Sequence, residues 1–264
     1  MFTNQQVKQI VKEQYGKIAE RRSNGCGCGC GSPKDTDFSE DYSKLEGYVA
    51  EADLGLGCGI PTEFAAIKTG DTVLDLGAGA GNDVFVARSL VGETGRVIGV
   101  DMTESMIKRA EQNKAKLGFQ NVEFRLGDIE NLPVDDASID VTVSNCVLNL
   151  VPDKAKAFSE IFRTLKPGGH FCISDVVLEG ELPGYIKANP EALSACVSGA
   201  WAKDAYLNLV RATGFTNIVV KSERRVGLEP ELIENILSDS DMDPAEAENV
   251  SVLSITVVGE KPSL

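Results

Sequence analysis

The chain has 264 residues, 42% apolar and 25% charged, with 26 glycines and 10 prolines; this composition suits a globular protein that buries a core and excludes a disordered or fibrous chain. Lys plus Arg number 26 against 40 Asp plus Glu, a net charge of −14 at pH 7, so neither nucleic acid backbones nor anionic lipid are expected partners. No run approaches the roughly 18 apolar residues of a spanning helix, and the charged amphipathic N-terminus lacks a signal-peptide core, so a cytoplasmic protein, not a membrane one, is expected.

Residues 1–24 read as one helix with Val7, Ile10, Val11 and Ile18 on a partial apolar stripe, suited to docking on a larger body. Residues 25–32, GCGCGCGS, are half glycine and can neither form a helix nor pack a core, so a mobile loop is expected unless thiol chemistry ties it down. Residues 35–53 are acidic and helix-prone in patches, and they run into a second glycine-rich turn, LGLGCGIP, at 54–61. From Asp71 onward strand and helix alternate: strands at 73–76, 96–100, 122–126, 140–144 and 170–177, with helices near 82–91, 104–117 and 154–165, the last stopped by KPGG. That is the βαβ signature of a parallel, doubly wound sheet. A helical stretch near 191–213 follows, and strands at 217–222 and 252–258 flank an acidic helical insert near 229–248. The expected organisation is an N-terminal extension over 1–69 and one α/β domain over 70–264.

The segment VLDLGAGAG delivers Gly77, Gly79 and Gly81 into the turn between the first strand and its helix, where glycine lets a ligand approach backbone amides. A nicotinamide fingerprint would need glycine where Asn82 stands, and no Gly-Lys-Ser/Thr follows, so dinucleotide and Walker sites are disfavoured. Asp101 ends the second strand, where a carboxylate either accepts both hydroxyls of a ribose or caps the next helix. Asp128, followed by apolar Ile129, brings a further polar group to the same sheet edge. His170, the only histidine, opens a strand and reads as structural; a single histidine makes a His-dependent triad or a His-rich zinc site unlikely on composition.

VLDLGAGAG, VIGVDMT, GDIENLP and LKPGG together resemble class I S-adenosylmethionine-dependent methyltransferases over residues 70–225. The resemblance implies a Rossmann-like, seven-stranded, mostly parallel sheet with helices on both faces and an antiparallel last strand. It implies that Gly77 and Gly79 approach the methionine part of the cofactor, Asp101 holds the ribose, Met102 packs on adenine, and Asp128 with Ile129 reads the adenine edge. Asp75 and Asn145 are assigned to the same cofactor site.

Seven cysteines, an odd number without a secretion signal, argue against a disulfide framework and for buried packing, soft-metal ligation or redox thiols. Cys58, Cys146 and Cys196 each fall where a methyltransferase meets its acceptor, whereas Cys172, inside HFCISDVV, reads as core. The phrases around the first three, GLGCG-x-P, SNCV-x-NL-x-PDK and a cysteine before a short Gly-Ala turn, resemble arsenite methyltransferases. Leu56 stands where many eukaryotic members have tyrosine, and a Cys-rich C-terminal extension is absent from the sequence. The resemblance implies trivalent arsenic held by Cys58, Cys146 and Cys196, S-adenosylmethionine as methyl donor, a thiol reductant such as glutathione or thioredoxin, and a monomer. One of Cys26, Cys28 and Cys30 would share in a disulfide that forms and is reduced in turnover, although metalloid capture and a passive tail also fit their spacing. Two other readings stay open: methylation of another small molecule, and thiol-based metalloid binding without catalysis.

Overall fold

A computed structural model describes residues 3–21, 40–180, 199–226 and 251–263. Helix α1 (Asn4–Arg21) and the short α2 (Pro61–Phe64) precede the alternating region. It runs β1 (Thr72–Leu76), α3 (Asn82–Val91), β2 (Arg96–Asp101), α4 (Glu104–Leu117), β3 (Val122–Leu126), β4 (Ile139–Asn145), α5 (Lys154–Thr164) and β5 (Leu165–Glu179). Helix α6 (Lys203–Ala212) and strands β6 (Thr216–Val226) and β7 (Ser251–Glu260) complete it. The seven strands form one sheet in the order β3-β2-β1-β4-β5-β7-β6, with only β7 antiparallel to its neighbours. The strand order reverses between β1 and β4, and in such sheets ligands bind at the carboxyl ends beside that reversal.

Both faces of the sheet are apolar because helices cover both. Leu74, Leu76, Ile98, Val100 and Ile173 meet Phe158 and Ile161 of α5 and Tyr206 and Val210 of α6 on one face. Val73, Val97, Val141, Val143 and Cys172 meet Val84 and Phe85 of α3 and Ala110 of α4 on the other. Each fully buried aliphatic of this kind contributes about 1.5–3 kcal/mol. Capping supports the pattern: the Asp153 carboxylate accepts the Lys156 N–H at 3.0 Å and starts α5.

Three details differ from the local sequence pattern. The KPGG segment does not precede β5 but bulges within it: Leu165 already pairs with Ile139, and the ladder resumes with Val141 opposite His170. Strands β6 and β7 extend past their apolar runs, because antiparallel pairing carries the ladder on to Val226 opposite Val252 and Glu179 opposite Ser251. Of the helical stretch near 191–213, the described part is helical only from Lys203. The expectations for 25–32 and 229–248 lie outside the described residues.

The N-terminal segments seat on the α3 and α4 side. Arg109 of α4 donates to the Ala19 carbonyl at the end of α1 and to the Glu51 carbonyl, each at 3.1 Å, and Ser89 of α3 donates to the Glu46 carbonyl at 2.9 Å. No described helix is long and apolar enough to cross a membrane.

Candidate functional site

The carboxyl ends of β1, β2 and β4 open on a cleft with an empty volume of about 1170 Å³, roofed by Lys8, Val11 and Tyr15 of α1. Asp75, Gly77, Gly79, Asp101, Met102, Asp128, Ile129, Asn145 and Cys146 all line it. Two glycines make it possible. Gly77 (φ 70°) leaves no room for a Cβ, which would collide with Val147, and Gly79 (φ 52°) has nothing nearer its Cβ direction than the Gly77 carbonyl at 4.0 Å, so its backbone borders open space.

Asp101 staples this turn: one carboxylate oxygen accepts the Gly79 N–H at 3.0 Å, the other the Thr103 N–H at 2.8 Å. The N-cap of α4 is Thr103, so Asp101 is not the helix cap, and its carboxylate also bonds the Thr103 side chain. Burial raises its pKa. Asp75 is pushed well above the usual carboxylate range, by burial first and then by Asp83 and Asp101, and burial brings Asp83 up to about 6. Buried together in one cleft, the Asp75 and Asp101 carboxylates disfavour their own charge and favour a cationic ligand.

At the other end Asp128 accepts the Glu130 N–H at 2.9 Å and pairs with Lys8 at 2.7 Å. Burial pushes the Asp128 carboxyl up, but these bonds outweigh it and hold it below its usual range. Lys8 also reaches Glu130 at 2.6 Å, whose second oxygen accepts the Asp153 N–H at 3.0 Å. Helix α1 is thereby tied to the Asp128–Glu130 turn and, through Glu130, to the start of α5.

At the end of β4 Cys146 takes a left-handed backbone conformation (φ 58°), with its N–H bonded to the Ser174 carbonyl at 2.8 Å. Cys58 is buried one residue beyond the lining Gly57, and the Asn145 side chain accepts its N–H at 2.9 Å. Burial raises the Tyr206 hydroxyl well above its usual pKa; Asp175 raises it further, and Cys58 and Cys146 add to this. Below them lies a buried trio: Tyr206 donates to Asp175 at 3.1 Å, and Lys154 donates to the carbonyls of Asn149 and Val151 at 2.9 and 3.0 Å. Burial brings Asp175 up to about 6 and Lys154 down to about 8.

Cys196, Cys26, Cys28 and Cys30 lie outside the described residues. Among those described, no group of three His, Cys, Asp or Glu is arranged to hold a metal. Cys172 is fully buried between β4 and β7, and burial pushes its thiol up to about 12, so it packs and does not react. His170 hydrogen-bonds the Ala65 carbonyl at 2.6 Å, a structural contact. The sequence reading missed Tyr42, Asp83 and Lys8. Asp83 follows the glycine turn and reads as an ordinary first-turn acid, and nothing in the acidic segment 35–53 distinguishes Tyr42.

Residues 67–214 match a family model described as a methyltransferase domain. The arsenite methyltransferase of Halobacterium salinarum is 50% identical over 169 residues, 64% of this chain and 43% of that protein. The arsenite methyltransferase of Homo sapiens is 32% identical over 247 residues, 89% of this chain and 64% of that one. The crystal structure of an arsenic (III) S-adenosylmethionine methyltransferase from Chlamydomonas reinhardtii aligns with a TM-score of 0.66 and 36% identity, over 76% of this chain and 66% of that one. The chain thus spans 43% to 66% of the length of these relatives.

Proposed function

The chain belongs to the methyltransferase-domain family, and from that premise we propose that it methylates trivalent arsenic held on cysteine thiolates, with S-adenosylmethionine as methyl donor. One observation carries the reading: Cys146 stands in left-handed backbone at the wall of the cleft that Gly79 and Asp101 line, with the Cys58 loop bonded to its neighbour Asn145.

S-adenosylmethionine supplies, when bound, an electrophilic methyl on a cationic sulfonium. The chain's part is to hold it: Gly77 and Gly79 give backbone access, Asp101 accepts the ribose hydroxyls, Met102 packs on adenine, and Asp128 and Ile129 contact its edge. The buried carboxylates of Asp75 and Asp101 suit its positive charge. Soft thiolates of Cys58, Cys146 and Cys196 are the ligands arsenic prefers, and three of them fill its coordination. Arsenic held in this way would meet the methyl as an effectively intramolecular nucleophile, so that positioning would do most of the catalytic work. No general base is required, because arsenic brings a lone pair and loses no proton. One of Cys26, Cys28 and Cys30 would share in a disulfide that a reductant of the glutathione or thioredoxin class re-reduces, in a monomer acting in the cytoplasm.

The test is direct. Protein, arsenite, thiol reductant and S-adenosylmethionine are incubated, and the arsenic products are separated and counted; methylated arsenicals that require every component are expected. A folded protein that binds S-adenosylmethionine but yields no methylated arsenic would leave a methyltransferase of another acceptor.

A further inference from the structure

The loop that carries Cys58 is held against the sheet by side chains. Asn145 bonds it on both sides of one peptide step: its carbonyl oxygen accepts the Cys58 N–H at 2.9 Å, and its NH2 donates to the Gly59 carbonyl at 2.8 Å. The amide therefore acts as a strand partner would. Asn145 is also the chain neighbour of Cys146, so one residue joins the two cysteine segments. The loop is pressed close: a Cβ on Gly57 would come within 2.6 Å of the Asn145 amide nitrogen, and one on Gly59 within 2.7 Å of the Ser174 hydroxyl. On its far side the Cys58 carbonyl accepts from the Ser254 hydroxyl.

An amide can present either end, and only one end fits here. Turned over, its NH2 would face the Cys58 N–H, donor against donor. Asp83 and Tyr42 hold the amide in that orientation. A carboxylate oxygen of Asp83 lies 3.2 Å from the Asn145 NH2, and the Tyr42 hydroxyl oxygen lies 2.8 Å from it; both accept. Tyr42 in turn donates to the other Asp83 oxygen at 2.9 Å and lies 3.0 Å from the Gly59 carbonyl. Tyr42 and Asp83 are 4% and 6% exposed, and a buried carboxylate without a cationic partner among its bonds is a costly choice where an apolar side chain would pack.

We propose that Tyr42 and Asp83 are positioning residues: by locking the Asn145 amide they fix the Cys58 thiol relative to Cys146 before any arsenic arrives. The proposal rests on the thiolate reading of the preceding section. In it the site is preorganised on one side by hydrogen bonds that take no part in the chemistry, so that arsenic need not order the Cys58 loop on binding.

The experiment uses the full chain with arsenite as probe, followed by the ultraviolet absorbance of arsenic–thiolate bonds, and S-adenosylmethionine affinity by calorimetry. Tyr42→Phe and Asp83→Ala should each weaken arsenite binding roughly tenfold or more, the scale of one buried hydrogen bond to a charged group, and leave S-adenosylmethionine affinity within about threefold. Asp83→Asn, which still accepts from one partner, should recover part of the loss. Wild-type arsenite affinity in Tyr42→Phe and Asp83→Ala would overturn the proposal, as would an equal loss of both affinities together with a fall in Tm, the mark of a merely structural role. Should the variants not fold, hydrogen exchange on the wild-type protein decides. The Cys58 amide is expected to exchange as slowly as those of β4 without ligand, and loop-like exchange that slows only with arsenite would overturn the proposal. Wild-type protein that forms no arsenic–thiolate absorbance would instead defeat the thiolate reading, and the exchange pattern would still report on the clamp.

Discussion

Cys146 keeps a backbone conformation that costs a non-glycine residue about 1–2 kcal/mol, and its N–H is bonded into β5 at the point where β4 ends. Strain of this kind at a cleft wall turns a side chain away from the course of its strand. On the proposed mechanism Cys146→Ser and Cys196→Ser each lose arsenite methylation with S-adenosylmethionine affinity nearly unchanged, because a hydroxyl is neither soft nor ionised at neutral pH. Cys58→Ser separates two versions of the site: it should lose arsenite methylation yet still turn over monomethylarsenite, since a carbon–arsenic bond removes one position available to sulfur. Product counts with the two substrates decide. Asp101→Ala tests the other end of the cleft. It removes the acceptors of the Gly79 and Thr103 N–H groups as well as the expected ribose contact, so cofactor binding should weaken by about 1.5–3 kcal/mol by calorimetry while arsenite uptake persists.

At the scale of elements, Lys8 ties α1 to the outer rim of the cleft. Lys8 bridges Asp128 and Glu130, and Glu130 passes the connection to the start of α5, the helix that follows the Cys146 segment. The pair with Asp128 is partly exposed, with side chains 24% and 42% accessible, which limits its strength. Lys8→Ala should therefore raise the S-adenosylmethionine Kd by roughly threefold to tenfold, not abolish binding. The wild-type affinity should approach that of the variant as salt rises, because screening removes the same attraction. Calorimetry at two ionic strengths checks both statements, and a salt-independent difference would mean that α1 acts through packing of Val11 and Tyr15 instead.

Across the whole molecule, burial raises the pKa of Asp75, Asp83, Asp101 and Asp175 together. A carboxyl with a raised folded pKa holds its proton in the folded state after the unfolded chain has released it, so its contribution is complete at low pH and is lost as pH rises through the folded value. For Asp175, moved from 3.8 to about 6, the loss between these values is roughly 3 kcal/mol at about 1.4 kcal/mol per pH unit. Lys154, brought down to about 8, resists protonation in the fold, so stability it confers at high pH is lost as pH falls through about 8. Urea unfolding from pH 4 to 7 should show wild-type stability falling, and Asp175→Asn should flatten part of that slope. Parallel curves for the two proteins would show that Asp175 does not titrate in this window.

Local sequence determined much of this protein. Apolar runs broken by glycine turns specify the strands, the parallel alternation brings Gly77, Gly79, Asp101 and Asp128 to one sheet edge, and Cys146, isolated in a loop context, falls beside them. Those signals are periodic or confined to a few residues, and the handedness of βαβ connections carries them into space. The tertiary structure alone decided what surrounds them. Tyr42 meets Asp83 across 41 positions, Cys58 meets Asn145 across 87, and Lys8 meets Asp128 across 120. No local pattern encodes such pairs, because each residue is ordinary in its own segment and becomes a partner only when the fold brings distant segments together, in the case of Tyr42 and Asp83 away from water.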